Sequence, residues 1–185
     1  MNVQSLSDET IVITARNAYN HLTDDQKALV TNLAALEAAE TKIAELKEEA
    51  NRKEQDDKDK AAAVQTLIAA LNVQSLSDKD AVDEAREAYE ALSDAQKALV
   101  INFSKLLDAE AHIKALIVYG DTDGDHKVTA VDALNVLKGV VGKITFSKEQ
   151  LICADTDGNG KADATDALNI LKKVVGKLEQ FPVEQ

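Results

Sequence analysis

Through residues 1–119 the apolar side chains recur every three to four positions, the spacing of one face of an α-helix. Ile11, Ala15, Ala18, Tyr19 and Leu22 form one such stripe and predict a helix from about Asp8 to Leu22, with Ser7 placed to cap it. A second helix opens at Thr23-Asp-Asp-Gln26, which has the capping-box pattern, and carries Leu29, Leu33, Leu36, Ile43 and Leu46 on one face. Further along, Ser93-Asp-Ala-Gln96 opens a matching helix with Leu99, Phe103, Leu106, Ile113 and Leu116. A third stripe, Val64, Leu67, Ile68 and Leu71, stands in front of this second set. Residues 47–60 are almost all polar or charged. Glu48/Arg52, Glu49/Lys53 and Glu54/Lys58 are i,i+4 pairs in the favourable order, so this stretch reads as a solvated joining helix that frays at Asp56-Asp57.

The two sets are copies. Asn2-Val-Gln-Ser-Leu-Ser-Asp8 recurs as Asn72-Val-Gln-Ser-Leu-Ser-Asp78, an offset of 72 − 2 = 70. Ala15-Arg16, Ala18-Tyr19 and Gln26-Lys-Ala-Leu-Val30 recur at the same offset. A fixed period of this kind marks repeated supersecondary units. Three amphipathic helices can close a small core, whereas two leave it open. The first copy lacks the leading helix of the second, and Met1 stands directly before its start. The expectation is a fragment that begins inside a repeat. The alternative is a two-helix hairpin leaning on its neighbour.

Composition sharpens the division. All seven Gly lie between Gly120 and Gly176, and the only Pro is Pro182, so residues 1–119 lack both residues that most disfavour a helix interior. The chemistry changes near position 120. A net charge of −12 argues against a nucleic-acid partner, since phosphate binding needs a basic face. Aromatics are 3% with no Trp, too few for a stacking platform. One Cys excludes an intrachain disulfide and a multi-Cys zinc cage. No apolar run is long enough for membrane insertion, and the residues given carry no signal peptide.

The Ser-Asp start, the Ala-Arg-x-Ala-Tyr helix and the Gln-Lys-Ala-Leu-Val helix resemble FIVAR modules, three-helix units of large secreted bacterial surface proteins and glycoside hydrolases. The resemblance implies an N-terminally truncated module over residues 1–50 and a complete one over 51–118, with spacer or adhesion roles. Tyr19 and Tyr89 share the apolar stripes and read as core.

A second repeat follows at an offset of 155 − 121 = 34: Asp121-Thr-Asp-Gly-Asp-His-Lys-Val-Thr-Ala-Val-Asp132 against Asp155-Thr-Asp-Gly-Asn-Gly-Lys-Ala-Asp-Ala-Thr-Asp166. Each precedes a near-identical Asp-Ala-Leu-Asn-Val/Ile-Leu-Lys helix. The ligand spacing is that of a 12-residue calcium loop, and calcium prefers six to eight oxygen ligands. Asp121, Asp123, Asp125, Lys127 (backbone carbonyl), Thr129 and Asp132 occupy positions 1, 3, 5, 7, 9 and 12. Asp155, Asp157, Asn159, Lys161 (carbonyl), Asp163 and Asp166 match them. So many carboxylates repel one another without a cation, so two Ca2+ ions and metal-coupled folding are expected. Asp at position 12 is a methylene shorter than the usual Glu. At position 6, loop two has Gly160, whereas loop one has His126 at a turn that favours Gly; loop one is expected to be the weaker site.

Gly120 leaves no room for a long incoming helix, and only Ser147 to Ala154 could be helical before loop two. This loop-plus-outgoing-helix unit resembles a type I dockerin over residues 119–185, the calcium-stabilised module that binds cohesin modules in bacterial multi-enzyme assemblies. The resemblance places partner contacts on Ala130, Val131, Leu137 and Lys138, and on Ala164, Thr165, Leu171 and Lys172. Val131 against Thr165 breaks the internal symmetry. Leu134 and Leu168 are expected to pack the two helices together, while Leu137 and Leu171 fit core or partner contact equally on spacing.

The fold expected is all-α: helical-bundle FIVAR repeats plus a dockerin built of two calcium loop–helix motifs. The pairing resembles the C-terminal region of clostridial secreted glycoside hydrolase toxins of the hyaluronidase type (mu-toxin). It implies a non-catalytic, secreted docking region with helical spacers. An EF-hand-type calcium sensor or buffer would need full helix–loop–helix hands and a Met-rich groove, and this chain has one Met. An enzyme would need paired carboxylates free for acid–base work, yet the clustered Asp read as ligands. Cys153 reads as a small buried hydrophobe, His21 and His112 as surface residues, and Asn102-Phe-Ser104 as a glycosylation triplet disqualified by a mid-helix position.

Overall fold

The computed structural model describes residues 2–185; Met1, read above as standing before the first repeat, lies outside them. The architecture is all-α, with no strand among the described residues. The helices are α1 (Glu9–Asn20), α2 (Asp24–Lys27), α3 (Leu33–Ala70), α4 (Lys79–Glu90), α5 (Asp94–Lys97), α6 (Phe103–Leu116), α7 (Ala130–Val140), α8 (Lys148–Ala154) and α9 (Ala164–Val174). The described residues form two compact units: residues 2–63 with 94–99, and residues 64–93 with 100–185.

In the first unit the cap of α1 differs from the expected one. Ser7 does not cap it. A 3-10 turn, Leu6–Asp8, precedes the helix, and the Asp8 carboxylate accepts from the backbone N–H groups of Gln4 (2.9 Å) and Ser5 (3.1 Å). The buried stripe is also rotated by one residue: Val12 is 3% exposed and Ile11 is 60% exposed. The expected second helix is split. The Thr23/Gln26 capping box forms, but it closes only the single turn of α2. The chain then turns and restarts at Leu33, leaving Leu29 80% exposed. Val12, Leu36, Ala39 and Ile43 make the core, with Tyr19 and Leu33 packed beside it. Arg16 clamps Glu40 through a two-pronged ion pair, and Lys47 pairs with Glu9.

α3 does not fray at Asp56-Asp57. Lys53 reaches Asp57 (2.7 Å), Lys58 reaches Glu54 (2.5 Å) and Lys60 reaches Asp56 (2.8 Å), all i,i+4 pairs that favour helix. Gln96 also donates to Asp57 (2.7 Å), so this charged stretch is tied down.

In the second unit the end of α3 buries Val64 and Ile68, Leu71 is buried just beyond it, and Val82 and Ala85 of α4 and Leu106, Ala109 and Ile113 of α6 are buried as well. α6 grips its neighbour through the main chain: Asn102 Nδ2 donates to the Gln65 carbonyl (2.9 Å) and Lys105 Nζ to the Ala69 carbonyl (2.6 Å). Asn102 therefore stands before α6 rather than mid-helix, its amide directed inward. Tyr89 stacks on Phe103 (centroids 4.3 Å apart), with Arg86 over both rings and bonded to Glu110.

Residues 119–185 contribute their own core. α7 packs against α9 through Ala133, Val136, Ala167 and Ile170, joined by Ala154 and Phe181. Leu134 and Leu168, expected between these helices, are each 50% exposed. Both helices are apolar on two faces, and the face carrying small alanines is the one that lets the backbones approach. The C-terminal tail returns over the start of the module. Phe181 covers Gly120 so closely that a Cβ there would meet its ring at 2.7 Å, and Val183 N–H donates to the Thr156 carbonyl (3.1 Å).

Candidate metal centre

Each acidic loop is shaped by its own carboxylates. In loop one, Asp121 Oδ1 accepts from the Gly124 N–H (2.7 Å) and Oδ2 from the His126 N–H (2.8 Å). Asp123 accepts from the Asp125 N–H (3.3 Å), and Asp125 from the Lys127 N–H (2.8 Å). Loop two repeats the scheme: Asp155 accepts from Gly158 (2.8 Å) and Gly160 (2.7 Å), Asp157 from Asn159 (3.1 Å), and Asn159 from Lys161 (3.0 Å). These bonds bend twelve residues into a tight coil that points carboxylate oxygens inward. Positive φ follows at Gly124, Gly158 and Gly160, and at His126 (φ 62°), the one described non-glycine residue in that region. The strained position-6 residue read from the sequence is present.

The last candidate ligand position comes from a helix. Asp132 and Asp166 lie in the first turns of α7 and α9 and are 1% and 0% exposed. Oδ1 of Asp132 accepts from the Thr122 N–H and Oδ2 from the Thr129 N–H, both at 2.8 Å. In loop two the Thr156 and Asp163 N–H groups hold Asp166 at the same distance. The short Asp reaches inward because these donors pull the helix start onto the loop.

Within each loop three carboxylates converge. Oxygens of Asp121, Asp123 and Asp132 lie within 4.8 Å of one another, as do those of Asp155, Asp157 and Asp166. Asp125 and Asn159 sit on the exposed rim. Thr129 and Asp163 serve as N-caps, accepting from Val131 (3.1 Å) and Thr165 (2.7 Å) N–H groups. Three like charges at that separation repel, and every donor is a hard oxygen, so the set fits a divalent cation of the calcium class.

The two buried carboxylates differ. Burial pushes Asp132 up, but the donors on Thr122 and Thr129, hydroxyls included, outweigh it and hold it below its usual value. Burial dominates at Asp166 and raises it. Two differences stand out: at position 9 Thr129 has a hydroxyl proton to give, whereas ionised Asp163 has none, and the neighbouring Asp157 charge adds to the rise at Asp166.

Residues 119–175 match the Dockerin type I domain. The chain has no match among curated proteins or solved structures. A dockerin is a non-catalytic interaction module that generally binds Ca2+ and pairs with cohesin modules, typically in secreted proteins. No helix among the described residues is long and apolar enough to cross a membrane.

On the dockerin surface, Ala130, Val131, Leu137, Ala164, Thr165, Leu171 and Lys172 are exposed, and Lys138 is half-buried. Leu134 and Leu168 join this outer face. Cys153 is buried, its thiol pushed up by desolvation, as a core residue rather than a nucleophile. His21 and His112 are exposed. Four residues the ligand pattern does not single out complete the loops. Thr122 and Thr156 are buried and donate from their hydroxyls to Asp132 and Asp166, and Asn135 and Asn169 donate to those hydroxyls (3.3 Å each). Their signal was repetition at the 34-residue offset.

Proposed function

We propose that this chain is a calcium-stabilised docking region: two Ca2+ ions order the dockerin, and its outer helix face binds a cohesin to assemble secreted carbohydrate-active enzymes. The observation that carries this reading is the pair of repeated carboxylate trios, each attached to a helix with an apolar outer face. Asp121, Asp123, Asp125, the Lys127 carbonyl, Thr129 and Asp132 would hold one ion. Asp155, Asp157, Asn159, the Lys161 carbonyl, Asp163 and Asp166 would hold the other. The ions supply charge neutralisation; the protein supplies the helices they anchor.

Val131, Leu134 and Leu137 on α7, and Leu168 and Leu171 on α9, are 38–53% exposed, an unusual density of large apolar groups for surface helices. Lys138 and Lys172 flank them and suit an acidic rim on the partner. The FIVAR-like modules, residues 1–50 and 51–118, act as spacers. A parent enzyme of the clostridial hyaluronidase toxin type fits the module pairing.

The test is capture. The full chain is immobilised with calcium, exposed to secreted and surface proteins of cohesin-bearing clostridia, and eluted with chelator. A cohesin released by chelator supports the reading. Leu137→Asp and Leu171→Asp together should abolish capture without loss of helix content. Absence of any chelator-dependent partner overturns it.

A further inference from the structure

The second helical repeat and the dockerin share a helix. At the 34-residue offset α8 corresponds to residues 114–120, since 148 − 34 = 114 and 154 − 34 = 120. The first three of these, 114–116, belong to the last turn of α6. Ile117, Val118 and Tyr119 then stand before Gly120 and Asp121; all three are half-buried, and the Asp121 N–H donates to the Val118 carbonyl (3.1 Å). The repeat therefore runs into loop one without a slack linker.

α8 closes the same junction from the other side. It packs on the 3-10 turn Leu76–Asp78 that leads into α4, and its Lys148 pairs with Asp80. Leu151 and Ile152 line a groove with Leu76 and Lys79. Leu76, Leu116 and Val118 line a cleft of about 180 Å³ with Thr122, Gly124 and Cys153. Gln150 Nε2 donates to the Thr122 carbonyl (3.0 Å), and the N–H of that threonine holds Asp132 (2.8 Å). Loop two is braced from elsewhere: its Thr156 carbonyl accepts from the Val183 N–H of the C-terminal tail (3.1 Å). The two loops thus lean on different parts of the chain.

We propose that the second helical repeat is a positioning element for loop one. By holding α8 and the start of the loop, it sets where Thr122, and through it Asp132, stands. The inference rests on the calcium reading above and goes beyond the spacer role given to the repeat there. Coupling between two sites is reciprocal, so the seam is tighter when loop one is loaded, and the outer face of α7 then keeps a fixed direction relative to the repeat.

The test titrates the isotope-labelled full chain with calcium. The backbone amides of Gly124 and His126 report loop one, and those of Gly158 and Gly160 report loop two. Leu76→Asp, which puts a charge in the seam, should weaken loop one at least about fivefold, the lower end of site–site coupling, and leave loop two within about twofold. Asp80→Lys, at a position 66% exposed, sets two lysines against each other and should weaken loop one about twofold, the worth of a surface pair; adding Lys148→Asp should restore it. Helix content is read alongside, and if Leu76→Asp loses helix the charge swap decides alone. Loop one unchanged in these variants, or both loops weakened alike, overturns the inference and leaves the calcium reading standing. Failure of both loops of the unaltered chain to saturate overturns both.

Discussion

His126 supplies a controlled test of what limits cation binding in the first acidic loop. Its φ of 62° lies in the left-handed region, where a residue with a Cβ is disfavoured by roughly 1 kcal/mol. Gly160 holds the equivalent place at φ 82°, and a Cβ built there meets nothing within 4 Å. The backbone bond is the same in both loops: His126 N–H to Asp121 at 2.8 Å and Gly160 N–H to Asp155 at 2.7 Å. The reciprocal pair His126→Gly and Gly160→His therefore isolates backbone conformation from packing and from ligand chemistry. Glycine also gains freedom in the unordered loop, which offsets about half of the relief. The net is about 0.5 kcal/mol, or two- to threefold in affinity where loop ordering and ion binding are coupled. Calorimetric titration with calcium should show loop one tightening in His126→Gly and loop two weakening in Gly160→His by similar factors. Unchanged affinity in both variants would refute the argument, because strain at position 6 would then be carried equally with and without the ion.

Other expectations follow from single contacts. Phe181→Ala removes a side chain 2% exposed from the dockerin core and should cost about 3–5 kcal/mol, read as a lowered midpoint in chemical unfolding of the calcium-loaded chain. Cys153, buried and with its thiol pushed up, should react with an aromatic disulfide at least about tenfold slower than a free thiol at neutral pH, and chelator should restore fast reaction. Arg16 holds the Glu40 carboxylate below its usual value, so the folded state binds fewer protons there than the unfolded chain. Its contribution is present at neutral pH and lost as acid carries the solution down through the carboxylate range; Glu40→Gln should remove that part of the acid sensitivity in a thermal-melt series.

The two acidic loops were legible because their information is local. The Asp and Asn side chains at positions 1, 3, 5 and 12 shape the coil by accepting from neighbouring backbone N–H groups. The capping box at Thr23 and Gln26 was legible for the same reason. What the sequence left open depended on distant partners. Ile11 and Val12 are both apolar, and only the packing of α1 on α3 decides which one faces inward. On α7, Leu134 looks like the better core residue than Ala133, yet close approach of α9 selects the alanine. The break between α2 and α3 carries no Gly or Pro to announce it. The tie from Gln96 to Asp57 joins residues 39 apart and keeps a charge run in place that local rules would let fray.

The return of Phe181 and Val183 onto Gly120 and Thr156 makes the dockerin nearly circular. Its first and last core positions touch, so chain order within the module is close to arbitrary. A version with residues 185 and 119 joined by a short linker and opened between α7 and α8 would keep both loops, both helices and the aromatic seal intact. In that topology the outer face of α7 and α9 could be fused to a host protein from the opposite end, a freedom that a module with splayed termini lacks.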